Sequence, residues 1–187
     1  MKTRCPWADP NFALYITYHD TEWGVPVHHD RVLFEFLVLE GAQAGLSWAT
    51  VLKKREKYRV AFDNFDPKKV AAYNEKKIES LLKNKGIIRN RLKIISAICN
   101  AKVFLKIQRE FGSFDKYIWN FTNSNVIRNK FKTIKDLPAK TALSDAISAD
   151  LKKRGMKFVG STIIYAYMQA TGMVNDHLMG CFRYKQV

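Results

Sequence analysis

The sequence has only three cysteines, Cys5, Cys99 and Cys181, among 187 residues. They are too few and oddly counted for a disulfide framework. No apolar run approaches the roughly 20 residues needed to cross a bilayer. The opening MKTRCPWADP lacks the apolar centre of a secretory signal. These absences exclude a disulfide-stapled secreted scaffold and a helical membrane protein, and they make the cytoplasm the expected location. Acidic residues are also scarce, 17 Asp and Glu against 32 Lys and Arg, which leaves a net charge of +15. A surface so basic favours a polyanion as partner; a basic surface kept for solubility is the alternative. Internal repeats, low-complexity linkers and alternating strand patterns are absent as well.

What is present is helical periodicity, apolar residues recurring at three and four rather than at two. Asp30 reads as the N-cap of a helix over 31–40. Ser47 caps another that reaches about Phe62, with Trp48, Val51, Leu52 and Phe62 inward and Lys53, Lys54 and Lys57 in solvent. Asp66 before Pro67 starts a third, and Ile78, Leu81 and Leu82 mark a fourth. A long helix from about Asn90 to Glu110 carries Leu92, Ile95, Ile98, Cys99 and Val103 on one face, with Gly112 beyond its end. FDKYIWNF forms a short aromatic helix, and residues 122–140 have no decided structure. Ser144 caps a helix stopped by Gly155, and STIIYAYMQATG forms one ended by Gly172. The predicted fold is all-α, with a cleft between helices.

The two ends hold metal-binding residue types. His177 and Cys181 lie four apart and can face one ion, and Cys5 and His19 supply a second pair. Two thiolates and two imidazoles suit a four-coordinate structural Zn²⁺, which would tie the termini together and support folding. A Cys5–Cys181 disulfide, or ordinary buried thiols and imidazoles, fit the same spacing.

Three basic clusters, KKREKYR, KNKGIIRNRLK and KKRGMK, are spread along the chain. In the middle one a helix ends near Leu82, a turn holds Gly86, and Asn90 opens the next helix. This is the layout of a helix-hairpin-helix, whose turn amides and helix N-terminus bind a DNA phosphate without reading sequence. Gly86 would let the backbone approach the strand, and Arg89, Arg91 and Lys93 flank it. A glycine turn between two helices of any α-protein is the plainer reading.

Five large aromatics, Trp7, Tyr15, Tyr18, Trp23 and Trp48, fall within about forty residues, and such side chains can wall a pocket for a flat base. They attract a cationic base further through their ring quadrupoles. Core packing explains any one of them alone. Glu40 ends the apolar run FEFLVLE, and an unpaired carboxylate there costs several kcal/mol. It must meet a cation, a donor or the solvent of a pocket; an exposed glutamate at a helix end is the alternative reading. The small-residue turn GAQAG follows, with Gly45 bending the chain and Leu46 available to project.

Cys5-x-Trp7, YITYHDTEWGVP, LFEFLVLEGAQAGLSWATVLKKRE, GIIRNRLKI, LKKRGMKFVGSTIIYAYMQATGMVNDH and Cys181 together closely resemble the 3-methyladenine DNA glycosylase I family of bacterial base-excision repair enzymes. The resemblance covers nearly the whole chain, least over 122–140. It implies a helix-hairpin-helix glycosylase fold in one unit. Segments 1–30 and 141–187 would form a zinc lobe, and 31–140 would carry the hairpin. Zinc ligands would be Cys5, His19, His177 and Cys181. The base pocket would comprise Glu40, Tyr15, Tyr18, Trp48, Trp7 and Trp23. Gly45–Leu46 would be the wedge that replaces an extruded nucleotide, and Gly86 would mark the phosphate anchor. The implied activity is hydrolytic release of 3-methyladenine from alkylated double-stranded DNA, leaving an abasic site. No lysine is evidently placed as a Schiff-base nucleophile, so no strand nick is expected, and a monomer is the expected state of an enzyme that wraps onto one lesion. A non-enzymatic DNA-binding module, or a glycosylase for another damaged base, uses many of the same features.

Overall fold

The computed structural model describes residues 2–187. Among them are ten α-helices, α1 Ala13–Thr21, α2 Asp30–Gln43, α3 Trp48–Leu52, α4 Arg55–Ala61, α5 Pro67–Ala71, α6 Glu75–Lys83, α7 Arg91–Phe111, α8 Phe114–Asn120, α9 Ala142–Lys153 and α10 Ser161–Ala170. Among the described residues the strand content is one parallel pairing of two-residue strands, β1 Ile127–Arg128 with β2 Val174–Asn175. It fastens the undecided segment 122–140 to the C-terminal segment and so crosses the expected boundary at 140.

Most helix starts follow from their caps. Ser47 accepts from the amide of Thr50, Asp66 from Lys68 and Lys69, Asn74 from Lys77, Asn90 from Lys93 and Ser113 from Lys116. Each satisfies amides that the first helical turn leaves without partners. Two expected caps are corrected. Asp30 does not cap its own helix; its carboxylate crosses to α8 and accepts from the amides of Phe114 and Asp115 and from Gln108 Nε2. Ser144 sits three residues inside α9, where it completes a reciprocal capping box with the true cap, Thr141. The helix expected from Ser47 to Phe62 is two helices, because the chain tightens at Lys54, whose amide bonds back three residues to Val51. The restart turns Arg55 inward onto Glu35.

Helix α2 is the axis of the molecule. It is apolar nearly all round, with Leu33, Phe34, Phe36, Leu37, Val38 and Leu39 buried, as a helix enclosed by others must be. It packs against α7, α8 and α10. Phe34 meets Phe104 of α7 edge-on at 5.1 Å, and Phe104 stacks on Phe114 of α8 at 4.1 Å. The inward face of α7 is set by Ile94, Ala97, Ile98, Ala101, Phe104 and Ile107. Leu92 and Ile95, expected on that face, are exposed, since the stripe runs one residue out of phase with the one drawn through them. Gly172, at φ +71, closes the end of α10 against the loop before α2, where a Cβ would lie 2.3 Å from the carbonyl carbon of Val25. Only glycine fits there.

Candidate active site and metal centre

The C-terminal half of α2, the N-terminal helix α1, the start of α3 and one face of α10 enclose a pocket of about 190 Å³. It is lined by all six residues singled out for it, Trp7, Tyr15, Tyr18, Trp23, Glu40 and Trp48, together with Gln43, Leu137, Ala166 and Gln169. Tyr18 packs on Trp48 at 5.3 Å, Trp48 lies parallel to Phe36 at 6.4 Å, and Trp7 meets Tyr15 at 5.2 Å and Trp23 at 4.8 Å. These tilted contacts hold the rings as walls with the space between them open. Gln43 is one helical turn beyond Glu40, a spacing that could have flagged it. Gln169 carries no such mark. Its Nε2 donates to Asp176 at 2.8 Å, and since only the amide nitrogen can donate to a carboxylate, its orientation is fixed.

Helix α2 buries two acids, and their surroundings are opposite. Glu35 accepts from Arg55 Nε at 2.6 Å and pairs with Arg59 at 2.9 Å. Glu40 is 4% exposed, yet among the described residues no hydrogen bond or ion pair reaches its carboxyl. Burial alone pushes its pKa up from 4.5 to about 8. Its side chain lines the pocket, so a group that enters that space can partner it. Burial and the nearby Glu40 also hold the Tyr15 and Tyr18 phenols above their ordinary range, so both remain protonated donors. The buried indole Nε1 of Trp48 likewise has no acceptor.

Behind this pocket the two ends of the chain meet. Cys5, His19, His177 and Cys181 are all buried, and their ligand atoms lie within 4.8 Å of one another. Cys5 and Cys181 are free thiols rather than a disulfide. Sulfur-to-nitrogen separations are 3.4 Å for Cys181 and His19, 3.5 Å for Cys181 and His177, and 3.6 Å for Cys5 and His177. A tetrahedral ion with metal–sulfur distances of about 2.3 Å and metal–nitrogen distances of about 2.0 Å requires edges of about 3.5 Å. The outer nitrogens are spoken for: His177 Nε2 faces the carbonyl of Trp23 at 3.0 Å, and His19 Nδ1 faces Asp20 at 2.8 Å, itself paired with Arg4. Both imidazoles thereby turn a lone pair inward, the outer-shell arrangement of a metal site. The four residues fit a metal. Cys99 stands apart and donates to Gly155.

The helix ends expected to meet DNA flank the turns at Gly45 and Gly86. After α2 the chain turns at Gly45, φ +76, and leaves Leu46 43% exposed. A second cavity of about 340 Å³ opens beside this turn and shares Glu40, Gln43 and Ala166 with the aromatic pocket. Between α6 and α7, the amides of Gly86, Ile87, Ile88 and Asn90 are taken by Asn84, Tyr58 and Ile88. For Arg89, Arg91 and Leu92 no internal acceptor is found among the described residues. A Cβ on Gly86 would lie 2.9 Å from Asn84 Oδ1 and 3.0 Å from Lys57, so the absence of a side chain there relieves contacts within the protein. Arg91 is paired with Glu75 and Glu79, Lys93 points into the protein, and Arg89 is exposed.

An aromatic pocket with one unsatisfied acid, beside an exposed apolar tip and a helix N-terminus with unpaired amides, defines a class: proteins that take a flat base out of a nucleic acid stack. Comparison with known proteins narrows the class. The methyladenine glycosylase family model matches residues 7–184. DNA-3-methyladenine glycosylase 1 of Escherichia coli (strain K12) is 50% identical over 97% of this chain and 96% of its own length. A Haemophilus influenzae DNA-3-methyladenine glycosylase is 48% identical over 97% of each chain. A crystal structure of 3-methyladenine DNA glycosylase I superposes with a TM-score of 0.93 at 50% identity, over 96% of this chain and 98% of that one. The chain belongs to the methyladenine glycosylase family.

Proposed function

We propose that this chain hydrolyses the N-glycosidic bond of 3-methyladenine in alkylated duplex DNA and leaves an abasic site. The carrying observation is Glu40, the one acid in the aromatic pocket, buried and without a partner. Methylation at N3 places a positive charge on the purine of the nucleoside, so the base leaves neutral and needs little protonation. The flipped cationic base would sit between the faces of Trp48, Tyr18 and Tyr15, where ring quadrupoles favour it. Glu40 would ionise against that charge and accept hydrogen bonds from the base edge. Neutral adenine brings no charge to offset the burial of a carboxylate, and is rejected on that account. Leu46 would fill the vacated stack, and the amides of Arg89, Arg91 and Leu92 would hold a phosphate.

Zinc is the ion we infer for the Cys5, His19, His177 and Cys181 cluster. Soft thiolates with imidazoles in a closed tetrahedral set favour it, and when bound it would clasp the two ends of the chain. The partner is double-stranded DNA, consistent with the net charge of +15, met by a monomer in the cytoplasm. No helix among the described residues is long and apolar enough to cross a membrane.

The test is to incubate the protein with methylated DNA and identify the bases set free. Release of 3-methyladenine is expected, with a loss of about ten- to a hundredfold in Glu40→Ala at unchanged duplex affinity, the size of a charged hydrogen bond made to the reacting base. Release of 7-methylguanine alone, or full activity in Glu40→Ala, would refute the assignment.

A further inference from the structure

Lys93 has a place in the molecule that neither phosphate binding nor solvation explains. It lies in the first turn of α7, three residues after the capping Asn90, and its backbone amide is held by the Asn90 side chain at 3.1 Å. From there its ammonium turns inward rather than towards solvent. It donates to the carbonyl of Ala42 at 2.7 Å and to that of Ala44 at 2.6 Å. Those carbonyls belong to the last turn of α2 and the residue after it, where a helix leaves acceptors unsatisfied and its dipole is negative. Ala44 is followed by Gly45 and the exposed Leu46. Two charge-assisted hydrogen bonds at a helix C-terminus are strong by the standard of single contacts, and they span two segments 49 and 51 residues apart in sequence.

We propose that Lys93 is a positioning residue, an internal strut that couples the α6–α7 hairpin to the Gly45–Leu46 turn. This rests on the reading above in which the hairpin grips a phosphate and Leu46 enters the stack. The strut has a mechanical consequence. Force applied to the start of α7 when a phosphate docks is passed through one side chain to the base of the intercalating tip. Binding to the backbone and insertion of the tip then occur in register, with the pocket mouth at Gln43 and Glu40 one turn away on the same helix. Without the strut the turn after α2 would keep its hydrogen bond from Leu46 to Gln43 but lose the charged tether that Lys93 supplies.

The experiment compares Lys93→Met, which keeps the apolar stem and removes the donors, with the unaltered protein in three measurements. Free 3-methyladenine binding, followed by tryptophan fluorescence, reports the pocket. Affinity for a duplex carrying a tetrahydrofuran abasic analogue, measured across salt concentrations, reports phosphate contacts. Fluorescence of 2-aminopurine opposite that analogue reports insertion of the tip. Expected are unchanged free-base binding, an unchanged salt slope, and at least a tenfold fall in the insertion equilibrium and in excision from methylated duplex, the equivalent of one charge-assisted hydrogen bond. A salt slope smaller by about 0.9 with normal insertion would show that Lys93 touches phosphate instead. Loss of free-base binding would show that it holds the pocket, and normal excision would show that it holds nothing; either overturns the proposal. Lys93→Arg serves if Lys93→Met does not fold. A guanidinium replaces an ammonium well on phosphate but poorly between two fixed carbonyls, so impaired insertion at an unchanged salt slope is again the expected result. Leu46→Ala is the control for the underlying reading. If it leaves insertion unaltered, the wedge assignment fails; if it abolishes insertion while both Lys93 variants are normal, only the strut fails.

Discussion

Replacing Glu40 by Gln makes the free protein more stable at neutral and alkaline pH, by an amount that the burial of the carboxyl sets. In the unfolded chain the group ionises at its ordinary pKa of 4.5, and in the folded protein at about 8. Between these values the folded state holds a proton that the unfolded state has released. Stability therefore falls as pH rises through this window, by ~1.4 kcal/mol for each pH unit. The loss is absent below pH 4.5, reaches about 3 kcal/mol at pH 7 and levels at about 5 kcal/mol above pH 8. Gln has the same shape and cannot ionise, so its stability lacks this slope. Urea unfolding of both proteins at pH 5, 7 and 9 isolates the effect, because every other titrating group, the metal cluster included, is common to the pair. At pH 7 the difference corresponds to roughly 10 °C in unfolding midpoint for a chain of this length. Parallel stability curves with a constant offset would refute the reasoning, since they would mean the carboxyl already has a partner or ready access to water.

Three further outcomes follow from the same geometry. kcat/KM for a cationic lesion should rise from pH 6 to about 8, because the ionised Glu40 complements the charge and its empty-pocket pKa is raised to about 8; a profile flat or falling over that range counts against it. Purified protein should contain about one zinc per chain by elemental analysis, and Cys181→Ser should lose the metal and at least about 10 °C of unfolding midpoint; stable, metal-free wild-type protein would rule the clasp out. Gly172→Ala should cost about 3 kcal/mol or more in urea unfolding, since a Cβ at φ +71 would strike the Val25 backbone; a neutral substitution would mean that the loop before α2 yields.

How far the molecule could be read from its sequence depended on whether a signal was local. Caps such as Ser47, Asp66 and Asn90 act on amides two or three residues away, and each stands where the sequence placed it. Asp30 has the same residue type but serves a helix more than eighty residues distant, and nothing near it could have revealed that. The face of α7 was misplaced because its first turn is apolar on two sides: Leu92 and Ile95 lie outward while Ile94 and Ile98 lie inward. In the pocket, the aromatic residues and Glu40 were legible as large or costly side chains in an apolar stretch. Leu137 and Gln169 were not, since they are delivered by a loop without pattern and by a helix whose face could not be chosen from sequence. Lys93 was legible as a cation and misleading as one, because its target is a pair of backbone carbonyls.

The clasp and the pocket share a wall. Trp7 packs on His19 at 5.1 Å and Trp23 on His177 at 4.6 Å, and the Trp23 carbonyl orients the His177 ring. Both indoles also line the space into which Glu40 is buried. A buried carboxyl without a partner destabilises the chain wherever it is placed, and it persists only where the surroundings cannot relax around it or admit water freely. Here the rigid side is supplied by residues whose backs rest on the four clustered ligands, which join the first and last parts of the chain. Loosening the clasp should therefore act on Glu40 through solvent: with the wall free to move, water reaches the carboxyl, its pKa falls towards 4.5, and the pH window in which the pocket discriminates by charge closes. If Glu40 selects the base by charge as proposed, a cluster remote from the reacting bond would contribute to selectivity by limiting how freely water reaches that acid.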